Sequence, residues 1–373
     1  MSPGRWVGWV WLMSRLALIA MAVIIVIRAD HPTSFTQVVS FWDVEHFLGI
    51  ATDGYPTVGD DSKRMAFFPG LPMLLAPFIA LGLPGEIVGL VISAIASAVA
   101  AAALFRLGGP WAAALWLIAP TAVFGFVPYT EALFCAFAFW AWVLAREDRW
   151  WPAALLTAGA CTVRVSGIFL IGALGLMILT RPMADGTALG QRLLSWLRRA
   201  VWLLIPAGAV FAYFLYLFWL TGSWTAWTDA QQAGWSRAWA LPTDSIMRTI
   251  DVIVGPSYDD RPGWDTVFTF ELVSFAVGLF AVGWLWRRRQ WAEMAWIAVQ
   301  LIAFSLSEWL MSVNRAVLLW FPVWVIVGEL MSRRFDSRAG RAVQWIGRLA
   351  WVVVSVAVML WWAQMFYRSQ WAS

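Results

Sequence analysis

The chain has 373 residues, of which 61% are hydrophobic and 13% charged, with a mean hydropathy of +0.71. A soluble domain holds roughly 45–50% apolar and about 25% charged residues, so this chain has too little charge to clothe an aqueous surface. The composition excludes a soluble enzyme, a disordered chain and, despite a net charge of +4, a nucleic-acid binder; what remains is a polytopic membrane protein.

A helix crosses the hydrocarbon in roughly 20 residues. The first span is expected near 6–27, with Arg15 inside it. No small-residue cleavage site follows, so it reads as a retained helix and not as a signal peptide. Charge-free runs come next at 87–105 and 107–130, then shorter apolar runs at 132–145, 150–163 and 165–180. Further spans are expected at 200–228, 266–286, 294–307, 316–328 and 349–367. The expectation is an all-α polytopic membrane protein forming a single domain over 1–373, with about eleven crossings, several of them half-helices. The 30 Trp suit interfacial belts, and Cys135 and Cys161, both in apolar runs, read as small core residues.

Basic residues set the orientation. Arg181, Arg192, Arg198 and Arg199 share a segment with one acid, Asp185; Arg287, Arg288 and Arg289 form a second cluster, and Arg333, Arg334, Arg338 and Arg341 a third. The positive-inside rule makes these segments cytoplasmic. Two long acidic segments are then expected outside. One, 28–64, holds Asp30, Asp43, Glu45, Asp53, Asp60 and Asp61; the other, 221–265, holds Asp229, Asp244, Asp251, Asp259, Asp260 and Asp265. Arg146 and Arg149 are balanced by Glu147 and Asp148 and give no orientation.

In the first acidic segment, apolar residues at 41, 44, 47, 48 and 51 follow helical spacing and predict an amphipathic helix at the membrane surface. Asp43 and His46 share one face, while Glu45 points elsewhere. A carboxylate beside an imidazole suits a general base; an interfacial helix with polar residues facing water explains the pattern equally well. The Asp43–Glu45 pair is a weak metal signal. Pro69, Gly70 and Pro72 predict irregular chain that lines a cavity or simply turns into the next helix.

Glu131, Arg164 and Arg315 stand between or at the ends of apolar stretches. Unpaired, such groups cost roughly 2.5–3.5 kcal/mol each. They are either functional or paired structurally, as Glu131 with Arg164 would be. An arginine fork suits phosphate oxygens. If Glu131 and Arg164 sit at exoplasmic helix ends, both converge with Asp43 and Arg315 on one cavity.

The stretch from Trp42 through Asp43, Glu45, His46, Phe47 and Leu48 to Gly54 and Tyr55, followed by Ala66-Phe67-Phe68-Pro69-Gly70 and Pro72, resembles the PIG-V mannosyltransferases. That family adds the second mannose in glycosylphosphatidylinositol assembly and has bacterial relatives. The resemblance continues at Pro120, Val123-Phe124, Tyr129 to Phe134, Arg164 with Gly167, Asn314-Arg315 and Trp320-Phe321-Pro322. The family shows Arg-Ser-Asn-Gly where this chain has Arg164-Val165-Ser166-Gly167, so no role transfers for that amide. The resemblance implies a GT-C glycosyltransferase that takes mannose from polyprenyl-phosphate mannose. Transfer, with inversion, to a lipid or glycan acceptor on the exoplasmic face would give an α-mannoside. It implies Asp43 as general base, with Glu45 as a rival, and Arg164 and Arg315 near the leaving phosphate. His46 would orient Asp43 or touch the phosphate, and Glu131 would line the substrate site. No cofactor or divalent metal is expected, and the chain is expected as a monomer among membrane lipids. The 221–265 segment, with Trp224, Trp227, Trp235 and Trp239, is where acceptor contacts are expected, although those rings also suit the interface.

Two other classes stay open at this stage. A transporter or flippase for a lipid-linked sugar would also carry intramembrane charges, but no inverted repeat is visible. A non-catalytic lipid-binding subunit would not need an intact Asp43.

Overall fold

The computed structural model of the chain describes residues 2–56, 60–182, 188–235, 237–255, 261, 263–333 and 335–370, without the side chains of 60 and 61. Asp185, Asp259, Asp260 and Arg334 lie outside the described residues, as do the side chains of Asp60 and Asp61.

The chain opens with α1 (Pro3–Ile27), α2 (Phe35–Val38), α3 (Asp43–Asp53), α4 (Gly70–Ala80) and α5 (Gly85–Leu117). Short turns then join α6 (Glu131–Arg146), α7 (Trp150–Val163) and α8 (Ser166–Thr180). They are followed by α9 (Leu189–Ala200), α10 (Leu204–Thr221), α11 (Ala226–Trp235), α12 (Pro242–Val254) and α13 (Trp264–Arg287). The last are α14 (Trp291–Ser305), α15 (Val313–Ala316), α16 (Phe321–Ser332) and α17 (Arg338–Tyr367). Among the described residues the only β feature is one isolated bridge, Trp239 to Ser307. Among the described residues, five stretches are long and apolar enough to cross a membrane: α1, α5, Leu189–Thr221, α13 and α17. The other expected crossings fall on shorter apolar helices or on broken chain.

The broken chain follows α5. The apolar run at 107–130 is not one helix: it kinks at Gly109 (φ 79°) before Pro110, regains helix to Leu117, then continues as buried irregular chain with a 3-10 turn at Ala122–Gly125. Carbonyls freed at such depth must find donors inside the protein. Arg15, the one charge in α1 well away from its ends, supplies them: Nη1 donates to the Gly125 carbonyl at 2.8 Å and Nη2 to that of Leu117 at 3.2 Å. Thr121 Oγ1 and Trp116 Nε1 donate to the carbonyls of Asn314 (3.1 Å) and Leu318 (2.9 Å), stitching this segment to the chain around α15 and α16.

Ion pairs align the ends of the bundle. Glu147 binds Arg106 at 3.0 Å, and Asp148 binds Arg199 at 2.8 Å and Arg181 at 3.3 Å. Arg288 binds Glu329 at 2.6 Å. The hydrogen bond from Arg199 is the main cause that holds the Asp148 carboxyl down at about 2. The turn at 146–149, silent on orientation in the sequence, therefore sits with the arginine-rich segments. The start of α6 and the end of α7, which carry Glu131 and Arg164, lie at the opposite end.

The two acidic segments are not open loops. The first holds α3 and the short helix Asp60–Ala66, and the second holds α11 and α12. Irregular chain near 66–72 is shorter than expected, because α4 begins at Gly70 with Pro72 in its first turn, where a missing N–H loses no helical bond. Gly70 is required there: a Cβ would come within 2.7 Å of the Thr162 carbonyl oxygen on α7.

Candidate active site

Asp43 is the first residue of α3, and Glu131 the first of α6, positions where a helix N-terminus favours a carboxylate. Trp42 precedes Asp43 at φ 61°, and Ser312 precedes α15 at φ 67°. Such backbone costs about 1–3 kcal/mol each in a non-glycine residue, so packing must hold both. Each turn sits next to one partner of a long-range ion pair: Arg315 Nη1 donates to Asp43 Oδ2 at 2.9 Å. The same guanidinium donates from Nε to Glu131 Oε1 at 2.7 Å and lies over the rings of Tyr129 (4.7 Å) and Phe124 (5.0 Å). Arg164 Nη1 reaches Glu131 Oε1 at 2.7 Å and Thr130 Oγ1 at 2.8 Å. The result is a continuous chain, Asp43–Arg315–Glu131–Arg164.

Glu131 is fully buried and both arginines use its Oε1. The pairing of Glu131 with Arg164 that served as the structural alternative is thus present, and it is part of the assembled cluster. Asp43 is different: it is partly exposed, its backbone N–H donates to Tyr129 Oη at 3.2 Å, and its Oδ1 has no hydrogen-bond partner among the described residues.

Asp43, Arg164 and Arg315 line a cavity of about 170 Å³. His46 does not line it; it stacks on Phe67 (5.0 Å) and meets Trp235 edge-on (6.0 Å), and both of those rings do. Burial under them lowers the His46 pKa, against a raising pull from Asp43 and further lowering from Lys63 and Arg64. Glu45 is exposed to solvent and makes no approach to the cavity wall. No group of three or more His, Cys, Asp or Glu that could hold a metal occurs among the described residues.

Nothing in the sequence singled out Gln231 from α11 or Arg237 just beyond it, and both line the wall beside Trp235. Of Trp224, Trp227, Trp235 and Trp239, Trp235 alone lines the cavity; Trp227 donates to the Ala66 carbonyl (3.1 Å), and Trp224 and Trp239 are exposed. Glu271, fully buried in α13, accepts from the N–H groups of Ser312 and Asn314 at 2.9 Å each and so holds the turn that carries Arg315. An acid inside an apolar span was a signal available for Glu271; nothing local marks Arg237.

Beside this cavity lies an apolar one of about 470 Å³, lined by Pro69, Pro72, Met73, Thr162, Tyr213 and Tyr216. The two flank the Phe67–Phe68 segment, which Tyr213 Oη fixes by donating to the Phe67 carbonyl at 2.9 Å. A larger apolar cavity of about 740 Å³, between α1, α5 and α17, includes none of the charged cluster.

No family model matches the chain. It is similar to GPI alpha-1,6-mannosyltransferase 2, the PIG-V enzyme, of Rattus norvegicus and of Mus musculus, at 36% identity over 152 residues in each case. The human protein of the same name is 34% identical over 154 residues. These matches cover 36% of this chain and span 30% of the length of each relative. Over 97% of its length the chain superposes on ArnT from Cupriavidus metallidurans, solved bound to undecaprenyl phosphate, with a TM-score of 0.52 and 16% identity across 76% of that chain. The fold is that of the GT-C polytopic membrane glycosyltransferases.

Proposed function

We propose that this chain, a GT-C-fold protein similar in part to the PIG-V enzymes, is a mannosyltransferase that uses polyprenyl-phosphate mannose as donor. The observation that carries this reading is Asp43 itself: Arg315 holds one carboxylate oxygen, and the other has no partner among the described residues at the wall of a cavity that also presents Arg164. The mannosyltransferase relatives support the sugar, and the undecaprenyl phosphate bound by ArnT supports a lipid-linked donor.

In this reading the acceptor hydroxyl oxygen attacks C1 of mannose from the face opposite the phosphate. The C1–O bond breaks, its electron pair stays on the phosphate oxygen, and the hydroxyl proton passes to Asp43. Arg315 keeps Asp43 oriented, and Arg164 adds positive charge beside the leaving group. The prenyl chain would lie in the apolar cavity lined by Pro72, Met73 and Tyr216. The arginine-rich segments at the far end support an exoplasmic position for the site. The acceptor is a lipid or glycan hydroxyl.

The test is transfer of radiolabelled mannose from polyprenyl-phosphate mannose by the detergent-purified chain. Asp43→Asn should lose at least about 100-fold in rate while remaining folded. Full activity in that variant would remove Asp43 as the base, and absence of transfer to any lipid or glycan acceptor would favour a transporter.

A further inference from the structure

Four charged side chains line the cavity: Asp43, Arg164, Arg237 and Arg315. Three belong to the chain of ion pairs that runs through Glu131. The fourth, Arg237, is part-buried, its Nε is buried without a partner, and its side chain forms no ion pair or hydrogen bond with any described residue. The nearby acids are already engaged. Asp43 binds Arg315, Glu131 binds both Arg164 and Arg315, and Glu271 accepts the N–H groups of Ser312 and Asn314. A guanidinium drawn out of water with no counter-ion is unfavourable. Burial lowers the Arg237 pKa to about 10, and the like charges of Arg315 and Arg164 push the same way. The cavity is built one anion short.

We infer that Arg237 receives the phosphate of the lipid-linked donor. The inference rests on the proposed lipid-phosphate reading and adds to it the residue that meets the charge. A hexose is neutral and cannot supply the missing anion; a phosphodiester supplies one negative charge and oxygens that match the planar arginine fork. When the C1–O bond breaks, the electron pair stays on the phosphate and the acceptor proton goes to Asp43, so the phosphate passes from one negative charge to two. Arg164 and Arg315 are paired directly with Glu131 and Asp43, whereas Arg237, which feels Asp43 and Glu271 only at longer range, forms no ion pair with a described residue and can turn its fork to that oxygen.

The surrounding chain holds Arg237 in place. It lies two residues beyond Trp235, whose ring packs on Phe67. Two residues further on, Trp239 bridges to Ser307, and the Ala240 N–H donates to the Leu306 carbonyl at 3.1 Å. The second acidic segment thus brings a donor contact to the site.

The test compares undecaprenyl phosphate with uncharged undecaprenol as ligands of the full-length protein in detergent. The wild-type chain should bind the phosphate at least about tenfold more tightly than the alcohol, and Arg237→Gln should erase most of that preference. Arg237→Met, which keeps an apolar stem, makes the same comparison if the Gln variant does not fold. Retention of the full preference in either folded variant overturns the assignment, above all if Arg164→Gln loses it. A wild-type chain that does not distinguish phosphate from alcohol overturns the lipid-phosphate reading itself.

Discussion

Arg315 binds the carboxylate of Asp43 at 2.9 Å across 272 positions of sequence. Its Nε donates to the Oε1 of Glu131 at 2.7 Å, so one planar group spans the partly exposed and the buried acid. A lysine ammonium is a compact charge and cannot repeat that double contact. Arg315→Lys should therefore fold but lose transfer by about 100-fold, the scale of a mispositioned base. Rates measured beside a detergent melting curve check this. Activity close to wild type would mean that charge alone suffices and that the fork is not used to aim Asp43.

Glu131 serves the opposite role. It is the shared anion of two arginines and is fully buried. Removing one partner of a buried pair costs about 3–5 kcal/mol, because the remaining charge is left uncompensated. Glu131→Gln leaves two arginines facing an amide, and its thermal midpoint in detergent should drop by several degrees, a larger fall than Asp43→Asn gives. If the two variants melt alike, the buried carboxylate is not the anchor of the cluster.

His46 supplies a pH dependence. Its folded pKa is lowered, chiefly by burial beneath Phe67 and Trp235, with Lys63 and Arg64 lowering it further and Asp43 and Glu45 opposing. The unfolded imidazole titrates near 6.5, so below that pH the unfolded chain binds more protons than the folded one. Stability from this residue is complete above pH 6.5 and declines as pH falls from there toward the folded value. His46→Gln should remove that decline, so wild type and variant should differ more in melting temperature between pH 7 and pH 5 than at pH 7 and above. Parallel curves for the two proteins would show that His46 is not buried in this way.

The apolar runs were legible because hydrocarbon leaves few alternatives: α6, α7 and α8 match charge-free runs closely. The run at 107–130 misled, since hydropathy records how apolar a segment is and not how its carbonyls are satisfied. Arg15, 102 positions before Leu117, lets that chain leave the helix there. Intramembrane cost exposed Glu131, Arg164 and Arg315 as odd residues, but their mutual contacts depend on tertiary packing. Arg237 was invisible for a different reason. It lies in a polar segment where an arginine costs nothing in sequence terms, and only the folded chain removes it from water and from partners.

Gly167 ties the geometry of the site to a single missing methyl group. Arg164 lies in the short turn between α7 and α8, and Gly167 stands at the start of α8 against the end of α7. A Cβ there would meet Cys161 Cα at 2.5 Å and Cys161 N at 2.8 Å. Those are backbone atoms, so the helices must part, and Arg164 must move relative to Glu131. Gly167→Ala should cost about 1–3 kcal/mol of stability, the usual price of overpacking, and should reduce activity further than that loss alone explains. The Cys161 Sγ also stands at 2.8 Å from the added carbon. Adding Cys161→Ala removes only that sulfur contact and leaves the backbone clash, so the double variant should stay as impaired as Gly167→Ala. Restored activity in the double variant would show that the thiol, and not the approach of the two helix backbones, sets the position of Arg164.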